Sequence, residues 1–116
     1  MKFGKAYFYR FNLKANMSAG DAMEFRPDAH IFAGSRLLAG WSVMDRLWEI
    51  ETPALVVAGR QDFLFPPECV AILADRLPDA RLAIIERAGH NPQAERPAET
   101  LDAIESFLAE AMPVMA

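Results

Sequence analysis

The chain has 116 residues, 53% of them apolar and 24% charged, with a formal net charge of -4. This length sets a bound of one ordinary domain, and the proportions are those of a globular protein. An acidic balance with scattered Lys and Arg excludes a phosphate-binding nucleic-acid face, which needs clustered basic side chains.

Cysteine usage and the termini narrow the setting further. Cys69 is the single cysteine and has no partner for an internal disulfide, which fits a reducing compartment. One Cys and two His argue against a zinc site. Met1–Arg10 carries charge throughout and lacks an apolar core segment, so no signal peptide is read there. The longest apolar runs are too short to span a bilayer. The expectation is a cytoplasmic protein with no nucleic-acid or membrane partner.

In chain order, Phe3, Tyr7, Phe8 and Phe11 recur at helical spacing and predict an amphipathic helix over Phe3–Ala15. Ser18 with Asp21 three residues on resembles a capping box and predicts a short helix over Ala19–Phe25, ended by Pro27. Asp28 is a cap for a further helix over Ala29–Leu38, interrupted by Gly34 and closed at Gly40. Met17, Met23, Phe25, Phe32, Leu37 and Leu38 fit helical core packing, or a lid lined for an apolar substrate. Val43–Glu51 predicts another short helix, with Val43, Leu47 and Ile50 on one side.

From Ala54 the pattern changes. Ala54–Ala58 is a short apolar run between Pro53 and Gly59, the pattern of a strand buried on both faces. Pro66-Pro67 opens a helix whose Val70, Leu73, Ala74 and Leu77 share one face. Leu82–Ile85 is a second buried strand. Pro97 opens a last helix, with Leu101, Ile104, Leu108 and Ala111 as its buried stripe. A crossover of this length makes the two strands parallel. The fold class is α/β, a parallel β-α-β-α unit preceded by a mostly helical segment.

Two residues of this unit suit acid–base chemistry. Asp62 and His90 each lie just past the C-terminal end of an apolar run, the edge where open α/β sheets place ligands. Taken singly, Asp62 reads as a solvated turn carboxylate and His90 as a polar loop residue beside a helix start. Taken together, in that order and each after a strand, they read as the acid and base of a hydrolytic triad.

Several motifs run through the same region: Asp45-Arg46-Leu47-Trp48-Glu49-Ile50, Thr52-Pro53-Ala54-Leu55-Val56-Val57-Ala58-Gly59-Arg60-Gln61-Asp62, Phe65-Pro66-Pro67, Ala88-Gly89-His90-Asn91-Pro92 and Glu95-Arg96-Pro97. In this order and spacing, residues from about Trp41 to Ala111 resemble the C-terminal part of an α/β-hydrolase. Proline iminopeptidase-type hydrolases are the branch most resembled. The resemblance implies that Asp62 is the triad acid, His90 the base, and Glu95 a structural support for the loop after the histidine. It implies a cofactor-free hydrolase of ester, amide or N-terminal peptide bonds, with a small-molecule or peptide substrate. It also divides the chain into a lid-like segment, 1–50, and the C-terminal part of a hydrolase core, 51–116.

The same resemblance implies a serine in Gly-x-Ser-x-Gly ahead of the acid, and the chain has none. Leu37-Leu38-Ala39-Gly40-Trp41-Ser42-Val43-Met44 resembles such an elbow, which makes Ser42 the candidate nucleophile within the chain. Met44 stands where the elbow wants a small residue. Ser35 is a weaker candidate, and Cys69 reads as a small semi-buried helix residue. Three alternatives follow: a serine from outside Met1–Ala116 in a missing N-terminal half, a truncated non-catalytic relic, or a site completed across a dimer. A half-sheet with an open edge predicts a homo-oligomer.

Overall fold

The computed structural model describes residues 9–10 and 26–112. The described residues fall into two compact units, one of 26–45 and one of 9–10 with 46–112. Of the helix expected over Phe3–Ala15, only Tyr9 and Arg10 are described, and they form a bend. The Arg10 N–H donates to the Glu95 carboxylate at 2.9 Å, so it is not part of a helical ladder. The expected helix over Ala19–Phe25 lies outside the described residues.

In the first unit, α1 spans Pro27–Phe32 and continues into a π-helical turn over Ala33–Leu37. Pro27 is the first residue of this helix. At the first helical position its missing N–H costs nothing, and Asp28 falls inside the first turn, not at the cap. Gly40, with φ of 74°, reverses the chain after the helix, a backbone conformation that glycine tolerates without a Cβ penalty. No described residue of this unit is buried. Ile31, Phe32, Leu37, Leu38 and Trp41 are all exposed, so packing of these side chains into a helical core is not what the described residues show.

Met44–Glu49 follows as a 3-10 helix, inside the short helix expected over Val43–Glu51. Three residues per turn align Arg46 with Glu49, whose side chains pair at 2.7 Å. The tighter period leaves only Leu47 of the expected apolar face buried.

In the second unit, β1 (Ala54–Gly59) and β2 (Ala80–Ile85) form a parallel pair in register from Ala54↔Ala80 to Gly59↔Ile85. β2 begins two residues earlier than the apolar run, because Ala80 and Arg81 pair with Ala54 and Leu55. The crossover between the strands is α2, Pro67–Arg76. Val70 is buried and Leu73, Ala74 and Leu77 are half-buried, so the expected face is the one turned inward. A short helix α3 (Pro92–Glu95) and then α4 (Pro97–Ala111) complete the β-α-β-α order.

Among the described residues the buried apolar core consists of Leu47, Ala58, Val70, Ile85 and Ala88. It is thin, and two expectations of burial fail for that reason. Among the described residues each strand has one neighbour, so β1 is mostly half-buried and Arg81 and Leu82 of β2 are exposed. On α4 the stripe Leu101, Ile104 and Leu108 is exposed, while Thr100 is buried and Ala103, Phe107 and Ala111 are half-buried. The helix is thus turned about one residue from its most apolar face. The small side chains at 103 and 111 allow close approach to the sheet, and the Arg81–Glu110 ion pair of 2.6 Å ties β2 to the helix. Among the described residues, no helix is long and apolar enough to cross a membrane.

Candidate active site

Both strands end on the same rung, Gly59↔Ile85, and the two site loops leave from it. The loops are then tied to one another by backbone bonds. Arg60 N–H donates to the Ile85 carbonyl and Gln61 N–H to the Ala88 carbonyl, each at 2.9 Å. Arg87 takes a positive φ of 55° in the turn between them, and the Arg96 guanidinium holds its carbonyl at 3.2 Å. Gly59 meets this second loop so closely that an added Cβ would lie 2.1 Å from the Gly89 oxygen and 2.5 Å from that of Ala88. Glycine is therefore a steric requirement at the end of β1.

This framework brings Asp62 and His90, 28 positions apart in the chain, to a hydrogen bond of 2.9 Å between Oδ2 and Nδ1. Asp62 is 8% exposed, and its other oxygen accepts the N–H groups of Leu64 at 2.9 Å and Phe65 at 3.2 Å. A buried carboxylate needs such partners to offset its lost hydration. All three bonds also fix which oxygen faces the imidazole. An ionised carboxylate only accepts, so His90 carries its proton on Nδ1 and leaves Nε2 as the acceptor nitrogen. The His90 side chain remains about one-third exposed, and the Phe65 ring stacks on it with centroids 5.8 Å apart.

The loop behind His90 is held by Glu95. One of its oxygens accepts the buried Gly89 N–H at 2.7 Å and the other the Arg10 N–H at 2.9 Å. Glu95→Ala leaves the Gly89 donor buried and unpaired. Its expected cost is about 1–3 kcal/mol of unfolding free energy, read from urea denaturation. A Glu95→Ala chain as stable as the parent would show that Gly89 finds another acceptor.

At the surface, Arg60 and Glu86 pair at 2.7 Å and link the two loops again. The hydrogen bond to Glu86 raises the Arg60 pKa, and the same bond holds the Glu86 carboxyl below its usual range. A depressed folded-state value contributes stability above the ordinary carboxylate range and loses it as pH falls through the lowered value. Both groups are in open solvent, where such pairs contribute little.

The candidate nucleophiles are placed differently. Ser42 is exposed, in an irregular segment after the Gly40 turn, and its Oγ accepts the Met44 N–H at 3.2 Å. The described residues ahead of it, 26–41, are helix and turn, so the strand-to-helix elbow suggested by Leu37–Met44 does not form. The Ser35 hydroxyl donates to the Ile31 carbonyl of its own helix at 2.6 Å. Cys69 is exposed in the first turn of α2, not semi-buried, because the neighbouring Val70 takes the inward position. Neither Phe65 nor the Gly59 contact was read from the sequence as part of the site. A glycine ending a strand was the available signal for the second.

No family model matches the chain. It is 35% identical over 80 residues to a pimeloyl-[acyl-carrier protein] methyl ester esterase of Aeromonas hydrophila, covering 69% of this chain and 32% of that protein. The chain thus spans about a third of the length of that curated relative. Among solved structures it resembles a proline iminopeptidase of Mycobacterium smegmatis. That match has 32% identity and a TM-score of 0.57, over 61% of this chain and 23% of the other. A serine hydrolase involved in carbazole degradation matches 94% of this chain and 45% of its own length, with a TM-score of 0.77. At 20% identity that last likeness shows the fold alone.

Proposed function

Because the chain belongs to the α/β-hydrolases, as a counterpart of their C-terminal portion, we propose that Asp62 and His90 are the acid and base of a serine hydrolase. The substrates are esters, amides or N-terminal peptide bonds. The observation that carries this reading is the 2.9 Å bond from the buried Asp62 carboxylate to His90 Nδ1 at the C-terminal sheet edge. Asp62 holds the imidazole in the tautomer whose Nε2 accepts a proton, and stabilises the imidazolium that forms. A serine hydroxyl gives its proton to Nε2 as its oxygen bonds to the substrate carbonyl carbon. The leaving group then takes that proton as its bond to carbon breaks, and water repeats the exchange to release the acid.

The serine in this reading is carried on a strand-to-helix turn, which the described residues do not contain. Ser42 lies in an exposed irregular segment and not on such a turn. The esterase likeness favours an acyl ester as substrate, and the iminopeptidase likeness an N-terminal peptide bond.

One observation favours a second reading, a non-catalytic hydrolase relic acting through association. β1 is uncharged along its whole length and has one neighbour among the described residues, and Leu101, Ile104 and Leu108 lie exposed on α4. Such surfaces are seldom left bare in soluble monomers.

Labelling with a fluorophosphonate, mapped by mass spectrometry, separates the two. An adduct on Ser42, with esterase activity lost in His90→Ala, is the result for a compact enzyme. With no adduct and no activity for His90→Ala to lose, the 116-residue chain is not by itself a serine hydrolase.

A further inference from the structure

Phe65 has two links to the acid–base pair. Its backbone N–H donates to Asp62 Oδ1 at 3.2 Å, and its ring stacks on His90 with an interplanar angle of 30°. The side chain is otherwise out in solvent, 59% exposed, so burial does not explain its place. A large apolar side chain this exposed gains little from the hydrophobic effect. It does present the face of a π system to an imidazole at 5.8 Å, inside the range over which a ring attracts a cation.

We propose that Phe65 is a positioning residue for His90, whose ring stabilises the imidazolium and fixes the plane of the base against the Asp62 carboxylate. This rests on the reading of His90 as the base. The turn from Asp62 to Phe65 places both partners of His90. Its carboxylate bonds Nδ1, and its aromatic ring stacks on the imidazole. Charge delivered to His90 by a proton is then met from two directions by one four-residue turn. Among the described residues, Glu95 of α3 accepts the N–H of the neighbouring Gly89, and the Arg96 guanidinium donates to the Arg87 carbonyl of the same loop.

The test is the titration of His90 followed by NMR in the whole 116-residue chain, free of substrate, with His30→Gln present to remove the other histidine's signal. Phe65→Leu keeps apolar bulk and removes the π face. Its His90 midpoint is expected about 0.5 pH lower than in the Phe65 chain. Phe65→Trp, with the stronger π face, is expected to match or exceed the Phe65 midpoint. An unchanged midpoint in the Leu variant, or a fall of equal size in both variants, overturns the proposal, since packing alone would then account for the contact. If either variant unfolds, Phe65→Tyr and Phe65→Met make the same comparison of π face against bulk. The titration needs no nucleophile, so a negative fluorophosphonate result leaves it intact. A failed titration likewise leaves the Asp62–His90 pair standing.

Discussion

Gly59→Ala is expected to destabilise the β-α-β-α unit by roughly 3 kcal/mol, toward the upper end of what overpacking costs. The new methyl would sit 2.1 Å from the Gly89 oxygen and 2.7 Å from the Ala88 carbonyl carbon. These are backbone atoms, so no rotamer change relieves the overlap. Ala88 is fully buried at 0% exposure, and its carbonyl is held by the Gln61 N–H, so the loop cannot retreat without breaking that bond. A domain of this kind has about 5–15 kcal/mol in total, and one with a thin core falls low in that range. Urea denaturation checks the prediction through the midpoint at unchanged slope. A loss under about 1 kcal/mol would mean that the strand end and the histidine loop are not in rigid contact. The same substitution is expected to lengthen the Asp62–His90 bond, because His90 follows Gly89 directly.

Asp62→Asn is expected to leave the turn in place and invert the histidine. The remaining Asn oxygen can keep the N–H groups of Leu64 and Phe65, but the amide nitrogen then faces His90 Nδ1 as a donor. Two donors cannot pair, so Nδ1 becomes the acceptor and the proton moves to Nε2. A base in that tautomer cannot take a proton from serine. In a triad the corresponding loss is on the order of 10⁴ in turnover. The direct readout is the nitrogen chemical shifts of the imidazole, which distinguish the tautomers without any substrate. Finding the Nδ1–H form retained in Asp62→Asn would show that something other than Asp62 sets the tautomer.

That Asp62 and His90 meet was legible because each sits one short step beyond an apolar run, and a parallel crossover leaves the two ends no choice of edge. The strands themselves were read to within one or two residues for the same reason. The face of α4 was not legible. Periodicity assigns burial to Leu101, Ile104 and Leu108, yet approach to the sheet is governed by which face is smooth enough to come close. Thr100, Ala103 and Phe107 take that face. The short helix at Met44–Glu49 was legible, but its 3-10 type was not, because six residues are too few for the period to show. The Phe65 stack and the bond from Arg10 to Glu95 join residues far apart in the chain, through atoms that no local pattern marks. Ser42 was suggested by the letters of an elbow, but an elbow is a strained joint between a strand and a helix, and the described residues leading into Ser42 are helix and turn.

The crossover from β1 through α2 to β2 has a consequence for folding order. The two loops start from one shared rung, so Asp62 and His90, 28 positions apart, meet once that single crossover has closed. Loop-closure entropy grows only slowly with such a span, and contacts of this separation form early relative to those that join distant parts of a chain. The pair is therefore a property of one supersecondary unit.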